Sequence, residues 1–308
     1  MTDRMKKSIR NFLLREGAGM VGFASPDTWD ARGDVAVENR PRSLWPPVRT
    51  VITFGVQMPL PIVETTPSVQ HRDLYNTCNR ILDDLAFRLV LSLSRQGHAA
   101  IPFSRDGYAR VDVLLKKPGA AFAHTYAAQY GGLGHVGINN TILTKEFGPR
   151  VRFTSVFTSL EITADDPFVE NLCIRCGACV DLCPVQALTL SRKDMRDKSV
   201  TLARYNGRRC ALWAKALTAE GCYPCGICIK VCPVGRDRVL YGREKTAAHY
   251  RKELSALAAG TDDPLYRAWT VIRRYGSTVT DGGDTPEEGL KNFFEKTRKN
   301  IQEGEHEQ

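Results

Sequence analysis

The sequence predicts a mixed α/β (α+β) chain followed by a separate cysteine-rich domain, and three observations predict it. Helical and strand-like periodicities alternate through residues 1–168. Nine of the ten cysteines then fall between Cys173 and Cys232, and beyond residue 240 the pattern turns helical and ends in a polar tail. The expected divisions are therefore 1–168, 169–240 and 241–308. A chain of 308 residues exceeds what one hydrophobic core usually organises, roughly 250–300 residues, which agrees with more than one domain.

Near 5–15, Met5, Ile9, Phe12 and Leu13 share a helical face, and Gly17 ends the pattern. A short buried strand is expected at 20–24. A clearer one is expected at 50–56 (TVITFGV), closed by Pro59 and Pro61. Residues 73–96 form a long amphipathic helix with Leu74, Cys78, Ile81, Leu82, Leu85, Leu89 and Leu93 as its apolar stripe and Gly97 as its stop. Cys78 on that stripe reads as a buried apolar residue. Two short strands are expected in 99–115, a helix at 120–130, and a strand at 151–160, which is rich in β-branched and aromatic residues. After the cysteines, helices are expected at 244–258, 264–274 and 286–302, with a Gly/Asp/Thr-rich loop at 277–285.

Lys and Arg number 43 against 34 Asp and Glu, a formal charge of +9. Such a balance favours anionic partners, whether nucleic acid, acidic proteins or nucleotide-like cofactors. No run of about 18 apolar residues occurs, and the N-terminal segment is interrupted by charge, so a cytoplasmic location is expected. Nine cysteines within sixty residues of such a chain indicate metal rather than disulfides.

Residues 173–184 read CIRCGACVDLCP, placing Cys173, Cys176, Cys179 and Cys183 before a proline; residues 222–233 read CYPCGICIKVCP, placing Cys222, Cys225, Cys228 and Cys232 likewise. Both fit C-x2-C-x2-C-x3-C-P, the bacterial spacing for 4Fe–4S clusters. Three thiolates two residues apart wrap one cubane while the fourth points away, so in two-cluster ferredoxins it ligates the other cluster. On that rule Cys183 serves the second cluster and Cys232 the first. Structural zinc also uses C-x2-C, but usually as two separated pairs. Cys210 is a ninth thiol in the segment, and the spacing leaves open whether Cys210 or Cys222 completes the second cluster. Residues 173–243 also hold thirteen Lys or Arg against five Asp or Glu. Part of this excess compensates the negative charge of clusters. Part suits docking of an acidic electron donor or of RNA.

Residues 132–137 (GLGHVG) match G-x-G-x-x-G literally. A dinucleotide site needs a strand before it, a helix after it and an acid about twenty residues on. Here a helical pattern precedes and β-branched residues follow, so the motif reads as a tight backbone turn.

The string AAQYGGLGHVGINNTILTKEFGPRVRFTSVFTSLEI, followed closely by CIRCGACVDLCP, resembles the segment joining cofactor and ferredoxin domains in two related groups. These are the epoxyqueuosine reductases and the corrinoid-dependent reductive dehalogenases. The upstream strings LLREGAGMVGFASPD and PPVRTVITFGVQM extend the resemblance over residues 5–240. It implies a nitroreductase-like domain that holds cobalamin, followed by a ferredoxin-like domain with two 4Fe–4S clusters. Electrons from a flavodoxin- or ferredoxin-type donor would pass through the clusters to cobalt, which reduces a substrate. In epoxyqueuosine reductases that substrate is a modified tRNA base. The resemblance places the cofactor pocket at the glycine turn, hence at Gly132, Gly134, Gly137, Asn139, Asn140 and Thr141. The family's donor Asp has no counterpart between Lys116 and Gly134. Candidate proton donors are therefore His135, within the turn, and His124, Tyr126 and Tyr130 before it. A non-catalytic dicluster electron carrier is the other function compatible with these residues.

Overall fold

The computed structural model describes residues 2–259 except Ala109 and Pro118, together with Glu295 and Lys299. The expected helices at 264–274 and 286–302 and the loop at 277–285 lie outside the described residues. The chain divides into two compact units: Met1–Met58, Asn76–Ala109 and Gly119–Ile174 form the first, and Pro59–Tyr75, Arg110–Pro118 and Arg175–Gln308 the second.

The first unit is built on a four-stranded sheet. Its strands are β1 (Met20–Ala24), β2 (Thr50–Gln57), β3 (Ala100–Phe103) and, after the short β4 (His135–Val136) and β5 (Ile142–Leu143), β6 (Val151–Thr158). Their order is β1-β2-β6-β3, with every neighbouring pair antiparallel. The central strands β2 and β6 are buried along nearly their whole length. This is why they read as continuous apolar runs rather than alternating ones. Where polar residues occur inside they face each other: Thr53 opposes Ser155 in register, and their hydroxyls are 2.9 Å apart. The T-shaped Trp29–Tyr130 pair, with centroids 4.8 Å apart, sits in a core shared with Val51, Phe122 and Phe157.

The long helix runs Val69–Arg95. It starts four residues before the expected 73 because Ser68 caps it, its Oγ accepting the His71 N–H at 3.0 Å. Cys78 is buried as expected, and burial raises its thiol pKa. Only one strand forms where two were expected in 99–115; Val111–Lys116 is instead a helix of the second unit. Pro102 lies in β3, which is an edge strand of the sheet, where a missing ladder donor is tolerated.

In the second unit, β7 (Leu188–Thr189) pairs with β8 (Arg204–Tyr205) and leads into the helix Gly207–Ala219. The two cysteine motifs fold alike. Gly177 (φ 74°) precedes the short helix Ala178–Asp181, and Gly226 (φ 65°) precedes Ile227–Lys230. Each glycine follows the second cysteine of its motif, where only a residue free to adopt positive φ turns the loop.

Buried ions brace the second motif. Arg238 donates to the Cys232 carbonyl at 3.1 Å and to Glu64 at 3.0 Å, and Arg243 adds a second bond to Glu64 at 3.1 Å. Lys230 pairs with Glu253 at 2.8 Å. Among the described residues no helix is long and apolar enough to cross a membrane.

Candidate metal centre

Eight of the nine clustered cysteines belong to the second unit, and Cys173 lies two residues before its last segment begins. The charges of Cys179, Cys183, Cys210 and Cys225 all act on Cys228, and those of Cys183 and Cys210 on Cys225. Burial pushes the Cys225 thiol up to about 12, and the Cys210 and Cys183 charges push in the same direction. Cys228 is raised well above its ordinary range, again chiefly by burial, with Cys225, Cys210, Cys179 and Cys183 adding. Cys210 is raised by burial and by Cys183. The half-buried Cys210, Cys225 and Cys228, whose ionisation is disfavoured in the chain alone, suit a cationic iron core, which stabilises thiolates.

The chain also supplies donors to these sulfurs. The Ala187 N–H reaches Cys183 Sγ at 3.2 Å. The Ile227 N–H favours the Cys225 thiolate, and the Tyr205 hydroxyl favours that of Cys210. Hydrogen bonds to ligand sulfurs are a main lever on cluster potential. Cys222 also lies among these thiols, since Cys183, Cys210 and Cys225 pack against the cluster that contains it. It is buried in an apolar cluster with Val185, Ala187, Trp213 and Leu217, and its Sγ is 3.4 Å from the Glu220 carbonyl.

Sequence reasoning missed several supports of these loops. Arg175, between Cys173 and Cys176, donates to the carbonyls of Met195, Val200, Asp194 and Asp197. Thr66 Oγ1 bonds the Cys225 carbonyl, and the buried His71 lies against Gly226, where an added Cβ would meet its Cε1 at 2.8 Å. A cation inside a cysteine motif was a visible signal; nothing in the sequence marked Thr66 or His71, more than 150 residues from Cys225.

In the first unit the glycine turn follows the helix His124–Tyr130 and opens into the β4–β5 hairpin. No strand precedes it, as expected for a turn outside a dinucleotide fold. Its glycines are required by the chain's own approach. A Cβ at Gly134 would stand 2.3 Å from the Leu143 carbonyl oxygen, one at Gly137 2.7 Å from the Leu143 side chain, and one at Gly132 2.7 Å from the Asp166 carbonyl. Gly134→Ala is therefore expected to destabilise the protein by about 3 kcal/mol or more, because a backbone oxygen cannot rotate away. Thermal unfolding of the variant measures this.

Asn139, Asn140 and Thr141 form the hairpin loop. Asn140 is left-handed (φ 59°), and the Asn139 side-chain oxygen accepts the Thr141 N–H at 3.3 Å. Thr141 Oγ1 and His135 Nδ1 are buried with no hydrogen-bond partner among the described residues. Orphaned buried polar atoms commonly mark a site for water or ligand, so this hairpin is where the first unit can receive a polar group.

The candidate donors do not form one hydrogen-bonded set. His124 Nε2 lies 2.9 Å from the Ser104 carbonyl and Nδ1 3.0 Å from Ser155 Oγ. A carbonyl only accepts, so Nε2 carries the proton, Nδ1 accepts from Ser155, and Ser155 accepts from Thr53. Burial pushes His124 down to about 4. Its folded form thus binds fewer protons than the unfolded chain between about pH 4 and the ordinary 6.5. His124 accordingly contributes stability above that window, which is lost as pH falls through it. Histidine-labelled NMR should show a neutral Nε2–H tautomer at pH 5; a midpoint near 6.5 would contradict the assignment.

Tyr126 is half-buried and raised by burial. Tyr130 is raised by burial and donates to Asp34 at 2.8 Å. Burial lowers His135 below the ordinary histidine range. A shallow cavity of about 350 Å³, lined by Phe103, Ser104, Gly107, Tyr108, Ala121 and Phe122, adjoins the His124–Ser104 bond.

Residues 172–235 match the 4Fe–4S double cluster binding domain. A tetrachloroethene reductive dehalogenase of Desulfitobacterium hafniense is 28% identical over 144 residues, covering 46% of this chain and 24% of that protein. An epoxyqueuosine reductase of Staphylococcus aureus is 23% identical over 207 residues, covering 61% and 53%. The chain thus spans about a quarter of the one relative and about half of the other. The solved epoxyqueuosine reductase from Streptococcus thermophilus shares the fold, with a TM-score of 0.51 at 16% identity over 96% of this chain and 98% of that one. The chain is an iron–sulfur protein carrying a 4Fe–4S double cluster domain, similar in sequence to the epoxyqueuosine reductases and the reductive dehalogenases.

Proposed function

We propose that the protein is an oxidoreductase of the epoxyqueuosine reductase type. A nitroreductase-like domain of residues 1–168 binds cobalamin, a ferredoxin-like domain of residues 169–240 binds two 4Fe–4S clusters, and residues 241–308 are a helical extension. The observation that carries the reading is the match of residues 172–235, with their two cysteine motifs, to the 4Fe–4S double cluster binding domain, in which Cys183, Cys210, Cys225 and Cys228 would hold the second cluster. By motif spacing Cys173, Cys176, Cys179 and Cys232 hold the first. When bound, the clusters supply one-electron transfer at low potential and the corrin supplies the metal for bond cleavage.

The chain's own residues hold and orient. Ala187, Ile227 and Tyr205 donate to ligand sulfurs, and Arg238 anchors the Cys232 carbonyl. His135 and Thr141, with their unmatched buried atoms, are the residues of the glycine turn that would meet a polar edge of the corrin. His135 is the preferred proton donor, with His124 and Tyr126 as the others. His124 is already committed to Ser104 and Ser155 through both ring nitrogens. A modified tRNA base is the substrate class that the reductase likeness supports, a flavodoxin- or ferredoxin-type protein the electron donor, and the cytoplasm the location.

A second reading, a dicluster electron carrier without cobalamin, is favoured by one observation. Gly132, Gly134 and Gly137 are all consumed by the chain's own packing. Anaerobic reconstitution with iron and sulfide, addition of hydroxocobalamin and desalting separate the two. About eight iron with one cobalt per chain supports the reductase; the same iron with no cobalt leaves the carrier.

A further inference from the structure

We propose that electrons enter through the surface around Tyr205, and that the partner docking there is an acidic, low-potential one-electron donor protein. The inference rests on the reading of Cys183, Cys210, Cys225 and Cys228 as ligands of the second cluster. Tyr205 is 53% exposed, yet its hydroxyl is hydrogen-bonded to Cys210. It is therefore a surface ring in contact with a ligand sulfur. The ring is also held in place. Tyr205 pairs with Leu188 in the β7–β8 ladder, and the next residue, Asn206, caps the Gly207–Ala219 helix by accepting the Arg209 N–H at 3.0 Å.

The charge nearby is one-sided. Arg192, Lys193, Arg196, Lys198, Arg204 and Arg208 are all exposed, and among the described residues none has a carboxylate within 4 Å. The acids in that stretch are Asp194 and Asp197, and the Asp197 carboxylate is engaged by the Ser199 N–H and hydroxyl. These six cations face solvent, where a partner of opposite charge can reach them.

Cys176 is exposed as well, but its surroundings do not suit the same partner. Arg175 beside it spends its guanidinium on four backbone carbonyls of residues 194–200. The nearest cation to Asp181 is Arg251, at 4.0 Å. Complementary charge accelerates protein encounters by about 10–10³-fold and loses that advantage as salt rises. The step itself is simple: the donor is oxidised by one electron and the second cluster is reduced by one, with no bond made or broken.

The test uses full-length, cluster-loaded protein and flavodoxin hydroquinone in stopped flow. The Lys198→Glu/Arg204→Glu/Arg208→Glu variant should be reduced at least tenfold more slowly at low salt, with the difference shrinking at high salt. Photoreduction by 5-deazaflavin should be unchanged, showing that the clusters are intact. An unchanged flavodoxin rate overturns the proposal. So does an unchanged rate accompanied by loss of binding to a tRNA anticodon stem-loop, which would assign the cations to nucleic acid. Wild-type protein that loads far fewer than about eight iron overturns the cluster reading beneath it instead.

Discussion

Cys210→Ala lowers the iron content from about eight to about four per chain, whereas Cys222→Ala keeps it near eight. The reason lies in the partners of each thiol. Cys210 acts on the charge of both Cys225 and Cys228 and is itself acted on by Cys183, and the Tyr205 hydroxyl stabilises its thiolate. Cys222 is buried among Val185, Ala187, Trp213 and Leu217, with Cys183, Cys210 and Cys225 packed against the same cluster, and its Sγ is 3.4 Å from the Glu220 carbonyl. Loss of a ligand removes an entire cubane, because three thiolates leave one iron open to solvent and oxidant. Iron and sulfide analysis, with electron paramagnetic resonance of the reduced protein, measures the difference. Equal iron loss in both variants, or loss only with Cys222→Ala, would reverse the assignment.

Glu64→Ala destabilises the protein by about 3–5 kcal/mol, the usual cost of removing one partner from a buried ion pair. Arg238 is fully buried, and Glu64 takes bonds from both Arg238 and Arg243. Without the carboxylate two guanidinium groups keep their charge and lose its counterion. The Arg238–Cys232 carbonyl bond ties this network to a cluster ligand, so iron retention should fall along with the thermal midpoint. The double variant Glu64→Leu/Arg238→Met restores most of the lost stability, since hydrophobic replacement of a buried pair is often neutral or better. Anaerobic thermal unfolding of the two variants decides this; equal instability would mean that Arg238 matters for more than its charge.

Much of the fold was legible because its signals are local. The strand at Met20–Ala24 and those at Thr50–Gln57 and Val151–Thr158 were readable from unbroken apolar and β-branched runs. The long helix was readable from its Leu stripe, though its start needed the Ser68 cap. Residues 111–116 misled because β-branched valines suggested a strand, while availability of a sheet edge is a tertiary matter. His124 looked like an open donor from its place beside the turn; Ser104 and Ser155, about 20 and 31 residues away, commit both its nitrogens.

The sequence by itself determined the iron–sulfur character of the protein, because ligand spacing along a loop is a local property that eight cysteines satisfy twice over. It also determined that GLGHVG is a turn, from the elements flanking it. Only the tertiary structure decided that Glu64, Thr66 and His71 brace a motif more than 150 residues away. Burial and charge pairing depend on which distant segments the fold brings together, and spacing along the chain carries no record of that.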